Sequence, residues 1–158
     1  MRILLFKRKK DWRKKMRSDC VFFYPIRVRY GEVDQQGVVY NGHYFTYCDV
    51  AFDEFLRHKG YSYKELAEEY DSEVCHKKTT FEYNGSAFEG DVVEVGIRII
   101  NVGTRSFTLR FEIYREGEED PRVISESVFV GYDKKNRKSK KLTSILLEIL
   151  GKKNDIDN

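Results

Sequence analysis

The apolar residues of this chain change period twice, and those changes divide it into elements. Between residues 20 and 30, Ile26, Val28 and Tyr30 alternate with Arg27 and Arg29, the period of two of a strand with one buried face, and Pro25 belongs near its edge or beginning. Residues 31–42 keep neither period and are punctuated by Gly31, Gly37 and Gly42, which predicts an irregular segment. Tyr44, Tyr47, Cys48, Ala51, Phe52, Phe55 and Leu56 then recur at spacings of three and four, a broad apolar stripe on one long helix that Gly60 stops. Asp49, Asp53, Glu54, Arg57 and His58 fill its other face. Ser62 followed by Glu65 has capping-box spacing and opens a short helix over residues 63–70.

After this point the period returns to two. Residues 74–83, 92–102, 106–115 and 123–132 read as strands; Val93, Val95, Ile97 and Ile99 share one face, as do Phe107, Leu109, Phe111 and Ile113. Turn residues at Asn84-Gly85, Glu89-Gly90-Asp91, Val102-Gly103-Thr104 and 117–121 keep the connections short, so the strands are expected to be antiparallel. Residues 134–141 form a basic loop, and 142–150 carry a helical apolar pattern. Five strands and one long helix make an α+β plan. A single helix covers one sheet face, so the partly apolar remainder implies a partner sheet or subunit.

Composition narrows the class. At 158 residues, 41% hydrophobic and 35% charged, with eleven Phe and eleven Tyr, the chain suits one soluble domain with enough aromatic surface to build a core. No apolar run approaches the roughly 20 residues of a membrane helix. The net charge of +3 hides an asymmetry. Residues 1–17 hold nine Lys or Arg against Asp11 alone, leaving twenty basic and twenty-five acidic residues in the rest. The expected organisation is a basic tail over 1–17, disordered or upstream of a natural start at Met16, then a domain over 18–151 and a polar tail over 152–158. That asymmetry argues against specific nucleic-acid binding by the domain. Cys20, Cys48 and Cys75 are odd in number and widely spaced, and Ile3 to Phe6 is too short for a signal segment, so a reducing cytoplasm is the expected location.

The irregular segment carries the chemistry. Asp34 stands in a glycine-rich loop just before the helix, whose first N–H groups point outward and favour negative charge. Such N–H groups can polarise a carbonyl and hold the oxyanion formed when it is attacked, and a neighbouring carboxylate can attack directly or activate water. The pairing suits hydrolysis of an ester or thioester. The plainer reading makes Asp34 a turn-capping aspartate and Asn41 a helix N-cap. Cys48 falls on the apolar stripe and reads as core, and Cys75-His76 face opposite sides of a strand, which argues against a metal site.

Written by its anchors, Arg29, Tyr30, Asp34, Gly37, Val38, Val39, Tyr40, Tyr44 and Tyr47, the run resembles the signature of the 4-hydroxybenzoyl-CoA thioesterase family, the hot-dog-fold acyl-CoA thioesterases that include the Tol-Pal-associated type. The likeness continues through Phe52, Phe55, Leu56, Gly60, Glu82-Tyr83 and Gly90-Asp91, over residues 21–145. It implies a five-stranded antiparallel sheet wrapped around one long central helix, and hydrolysis of an acyl-CoA to a carboxylic acid and CoA. It assigns Asp34 as nucleophile or general base and the Asn41 N–H as oxyanion donor, with Tyr40 and His43 completing the catalytic set. Many relatives have histidine where Asn41 stands, and His43 is the nearest substitute. Gly37, Val38, Val39, Tyr44, Thr104, Arg105 and Ser106 are the implied substrate contacts, with Lys134 to Lys141 near the nucleotide phosphates. The resemblance implies homodimers paired into homotetramers, and no cofactor beyond the CoA of the substrate itself. The alternatives are an acyl carrier protein as thioester carrier, a hydro-lyase using His43 with Glu54, and a non-catalytic acyl-CoA-binding module whose basic leader holds RNA or an anionic membrane.

Overall fold

The computed structural model describes residues 17–152. The expectations for the leader before Arg17, and for the end of the polar tail, lie outside the described residues. In chain order the elements are β1 (Phe22–Arg27), a 3-10 turn (Tyr30–Glu32), α1 (Asn41–His58), α2 (Tyr63–Glu68), β2 (Val74–Tyr83), β3 (Val92–Val102), β4 (Ser106–Arg115), β5 (Val123–Asp133), β6 (Lys138–Lys140) and α3 (Ser144–Ile149). One antiparallel sheet runs in the order β1-β3-β4-β5-β2, with β6 pairing to the end of β5. The five long strands and the central helix are as the periodicity predicts.

The stripe of α1 explains its place. Tyr44, Tyr47, Cys48, Ala51, Phe52, Phe55 and Leu56 are all buried, against inward-facing Val93, Val95 and Ile97 of β3, Phe107, Leu109, Phe111 and Ile113 of β4, and Val123 and Phe129 of β5. Each large side chain buried there is worth about 1.5–3 kcal/mol before the entropy of ordering it. At the start of α2, the Ser62 hydroxyl accepts from the Glu65 N–H and the Glu65 carboxylate from the Ser62 N–H, the predicted capping box.

Three features depart from the expected pattern. β6 replaces part of the basic loop expected over 134–141. Asn136 donates twice to Asp133, Arg137 adopts a φ of 53°, and the chain folds back onto β5. Gly131 permits that return, because a Cβ there would lie 2.6 Å from the Lys140 carbonyl oxygen. In β3 a bulge between Ile99 and Asn101 leaves Ile100 exposed. In β2 a second bulge, between His76 and Lys78, shifts the alternation by one. Val74 and His76 face α1 before it; Thr79, Phe81 and Tyr83 face α1 after it.

The outer sheet face is partly covered by the chain entering β1. The Arg17 guanidinium lies over the Phe23 and Tyr114 rings, 4.9 and 4.6 Å from their centroids, and pairs with Glu94 at 2.5 Å. Arg17 therefore packs on the domain although the sequence groups it with the leader. Among the described residues no helix is long and apolar enough to cross a membrane.

Candidate active site

Asp34 sits on a tight loop closed by its own backbone. Its N–H donates to the Val38 carbonyl at 2.9 Å, the Gly37 N–H donates to the Asp34 carbonyl at 2.9 Å, and Val33 bridges Val39 across the loop. Gly37 has a φ of 75°, left-handed backbone that costs a residue with a Cβ about 1 kcal/mol or more. One carboxylate oxygen of Asp34 accepts the Gln36 N–H at 2.8 Å, so the turn-capping role exists. The other oxygen accepts no hydrogen bond among the described residues, and the side chain is partly exposed.

The loop ends against the start of α1. The Val39 N–H donates to Ala87 and the Tyr40 N–H to Glu32, both at 2.9 Å, and the His43 N–H turns back to the Tyr40 carbonyl. The amides of Asn41 and Gly42 find no backbone acceptor among the described residues. They are the outward-pointing donors of the first turn, on the positive end of the helix dipole. Tyr40, not Asn41, is the N-cap residue, and no side chain caps this end. The Tyr40 ring folds over Gly42, where a Cβ would meet it at 2.7 Å, and stands edge-on to the His43 ring at 6.0 Å. Asp34, Tyr40, Asn41 and His43 are thus brought to one end of α1, with Gly37, Val38 and Val39 forming the loop between them.

Glu32 holds this assembly together, and the sequence reading passed over it. Its carboxylate accepts the Arg29 N–H at 2.8 Å and the Tyr47 hydroxyl of α1 at 2.7 Å, while its carbonyl accepts the Tyr40 N–H. Burial, and then the bond to Glu32, push the Tyr47 phenol well above its ordinary pKa. No local pattern marks Glu32, since the donor-only Arg29 side chain cannot act as a capping-box acceptor and the reach to Tyr47 spans fifteen residues. Ala87 is the second such support, its carbonyl holding Val39 and its N–H donating to the Tyr44 hydroxyl at 3.1 Å. Tyr44 is buried at 2% exposure, so it meets a ligand only through whatever reaches its ring edge. Between β1 and α1, below Glu32, a cleft of about 450 Å3 opens beside Ile26, Val28, Thr46, Tyr47 and Val50.

Thr104, Arg105 and Ser106 lie elsewhere. Thr104 and Arg105 lie in the β3–β4 turn and Ser106 opens β4, at the sheet end where β2 begins, whereas α1 starts where β2 finishes, against Tyr83. The ten residues of β4 put about 30 Å between those ends. Arg105 donates to the Ser139 carbonyl at 3.0 Å, so the fold gathers Arg105 with the 134–141 cluster at that distant end. Lys140 is committed there to Asp71 at 2.6 Å.

The remaining candidates resolve simply. Cys48 is fully buried, and burial pushes its thiol well above the ordinary range, which removes it as a nucleophile. His76 Nε2 lies 3.1 Å from an Asp49 oxygen and Nδ1 lies 3.3 Å from the Thr79 hydroxyl. Burial raises the Asp49 pKa, and the neighbouring His76 opposes that rise. Among the described residues no three His, Cys, Asp or Glu side chains gather to hold a metal ion.

Comparison with known proteins gives the family and the fold. Residues 28–150 match the family described as the thioesterase-like superfamily. A relative in Aquifex aeolicus (strain VF5), named "Putative esterase", is 30% identical over 129 residues, 82% of this chain and 97% of its own length. The acyl-CoA thioester hydrolase YbgC of Escherichia coli O6:H1 is 34% identical over 85 residues, which span 54% of this chain and 63% of that protein. Among solved structures, a 1,4-dihydroxy-2-naphthoyl-CoA thioesterase from Synechocystis superposes with a TM-score of 0.74 at 19% identity, over 87% of this chain and 98% of that one. The α+β architecture is therefore the hot-dog fold.

Proposed function

Since this chain belongs to the thioesterase-like superfamily and so to the thioester hydrolases, we propose that it hydrolyses an acyl-CoA, adding water across the carbonyl carbon–sulfur bond to release a carboxylic acid and CoA. The observation that carries this reading is the pairing of Asp34 with the open amides of Asn41 and Gly42 on one backbone-braced loop. On this reading the amides donate to the thioester oxygen as it gains charge during attack, where fixed donors act most strongly. Asp34 either attacks the carbonyl to form an anhydride that water then opens, or takes a proton from the attacking water; both routes return it as a carboxylate. The names of the Escherichia coli relative and the Synechocystis enzyme point to the same CoA thioester chemistry.

The wider assignment follows from the same reading. Thr104, Arg105 and Ser106 reach an Asp34 site only when a second copy carries them there, so their role as substrate contacts requires a homodimer, with the tetramer as its pairing. The basic end formed by Arg105 and residues 134–141 then meets the CoA phosphates. The reaction is assigned to the cytoplasm.

Release of thiol from a panel of acyl-CoAs tests the central claim. Asp34→Asn is expected to lower kcat by at least about a hundredfold while the protein stays folded and still binds substrate. Full activity in that variant would remove Asp34 from the chemistry.

A further inference from the structure

We propose that Glu32 is the positioning residue of the Asp34 site: its carboxylate ties the loop that carries Asp34 to the side of α1, and so fixes the angle between Asp34 and the open amides of the first helical turn. This rests on the thioesterase reading above and adds to it the residue that aims the attacking carboxylate.

Residues 32–40 form a narrow ladder with Asp34 near its tip. The Tyr40 N–H donates to the Glu32 carbonyl, Val33 bridges Val39, and the Asp34 N–H donates to the Val38 carbonyl. Every hydrogen bond of Asp34 among the described residues stays inside this loop. The ladder is therefore braced within itself, but its base is a single crossing, where Tyr40 hands the chain to α1. Asp34 and the amides of Asn41 and Gly42 belong to opposite sides of that crossing. Rocking of the ladder about its base would shift one against the other, and a misplacement of about 1 Å at a reacting centre costs on the order of a hundredfold in rate.

Two braces hold the ladder against α1, and each ends on a phenol of that helix. One is indirect: the Val39 N–H donates to the Ala87 carbonyl, and the Ala87 N–H donates to the Tyr44 hydroxyl, so it passes through the segment between β2 and β3. The other is direct. The Tyr47 hydroxyl donates to a Glu32 carboxylate oxygen at 2.7 Å, and the same oxygen accepts the Arg29 N–H at 2.8 Å. Tyr47 lies seven residues beyond Tyr40, about 10 Å along the helix axis, so the bond acts far from the crossing and resists rocking with a long lever. Burial, and next the bond itself, hold the phenol above its ordinary pKa, which keeps it a donor as pH rises.

The direct brace depends on an acceptor oxygen more than on charge. The Arg29 guanidinium stands 3.9 Å from the second Glu32 oxygen and is 80% exposed, so that ion pair contributes little. The Glu32 side chain itself is only 13% exposed and Tyr47 is buried, so water does not readily take the place of either partner. A carboxylate acceptor strengthens both bonds. With the Ala87 brace and the apolar stripe of α1 intact, losing the Glu32 carboxylate should free the angle of the ladder without unfolding the domain.

Thiol release from acyl-CoA and amide hydrogen exchange test this together. Glu32→Ala is expected to lower kcat about thirtyfold while KM stays within about threefold of wild type, because binding survives and aim is lost. Glu32→Gln keeps an oxygen for both donors and should recover all but about fivefold of the rate. Tyr47→Phe should cost about tenfold, and the double variant with Glu32→Ala should be no slower than about the level of Glu32→Ala alone, since both remove one bond. By exchange, the Tyr40 N–H should open at least about tenfold faster in Glu32→Ala, while residues 51–56 of α1 keep their protection. An unchanged kcat, a loss carried by KM, an equal loss in Glu32→Gln, or losses that multiply in the double variant would overturn the proposal. If Glu32→Ala does not fold, Tyr47→Phe carries the test, with the same exchange pattern expected. A wild type that hydrolyses no acyl-CoA sinks the thioesterase reading, and exchange then decides the brace by itself. An active wild type with an indifferent Glu32→Ala sinks the brace and leaves the thioesterase reading standing.

Discussion

Asp34 and Glu112 are both carboxylates tied to this fold by hydrogen bonds, yet they lie on opposite sides of the sheet and in opposite states of solvation. Glu112 is fully buried on the outer face of β4. It accepts the Tyr114 hydroxyl at 2.5 Å and the Cys20 thiol at 3.6 Å, and Arg98 stands 3.6 Å away, itself facing Asp19 at the same distance. Asp34 is held mainly by backbone, gives one oxygen to Gln36, and remains open to solvent. The contrast separates structure from chemistry: a carboxylate enclosed by partners is spent on the fold, whereas one presented on a rigid loop beside open amides can act on a substrate.

The largest test of this contrast removes the enclosed charge. Glu112→Ala is expected to destabilise the protein by about 3 kcal/mol or more, because it leaves Arg98 beside a void and strips Tyr114 and Cys20 of an acceptor. Urea unfolding reads the loss, and turnover per folded molecule should be retained. A fall in specific activity would show that the outer cluster also supports the site.

A smaller effect belongs to the loop. A Cβ at Gly37 meets nothing within 4 Å, so Gly37→Ala costs only the left-handed backbone, about 1 kcal/mol. Thiol release should suffer more than stability does, by on the order of tenfold, because the turn sets the aim of Asp34. Equal and slight effects on both would mean that the loop tolerates a regular conformation.

The smallest is a pH effect on the outer face. Burial, and next the negative charge of Glu112, push the Cys20 thiol up from its ordinary value of 9.0 to about 12. The folded state therefore keeps a proton that the unfolded chain gives up. The resulting stability is complete below the unfolded pKa and is lost as pH rises from about 9 to about 12. Cys20→Ala should flatten the fall of melting temperature across that window relative to wild type. Identical alkaline profiles would show that Cys20 ionises as freely folded as unfolded.

Much of the fold was legible along the chain because its signals are local. The stripe from Tyr44 to Leu56 defines α1 by spacing alone, and alternation in β3, β4 and β5 marks the buried faces that the structure shows. The β2 bulge was not legible, since the extra residue near Lys77 has no turn chemistry and is required only by pairing with β5. β6 was hidden for a similar reason: Lys138 to Lys140 is too polar and too short to signal a strand, and it becomes one by returning onto Gly131 to Asp133. At the candidate site, Asp34 and the helix start are close in sequence, so their association could be anticipated. Glu32 gains its importance from Tyr47, fifteen residues later, and Ala87 from Tyr44, forty-three residues earlier.

By itself the sequence determined the α+β plan, the single amphipathic helix, the glycine-rich loop carrying Asp34, and a likeness specific enough to name a thioesterase family. These rest on periodicity, turn residues and short spacings, all of which act between neighbours in the chain. Only the tertiary structure decided which amides of the first helical turn stay open, which carboxylate is enclosed, and that Thr104 to Ser106 lie at the other end of the sheet from Asp34. Those outcomes depend on hydrogen bonds and burial between residues tens of positions apart, and on a strand register that no local pattern encodes.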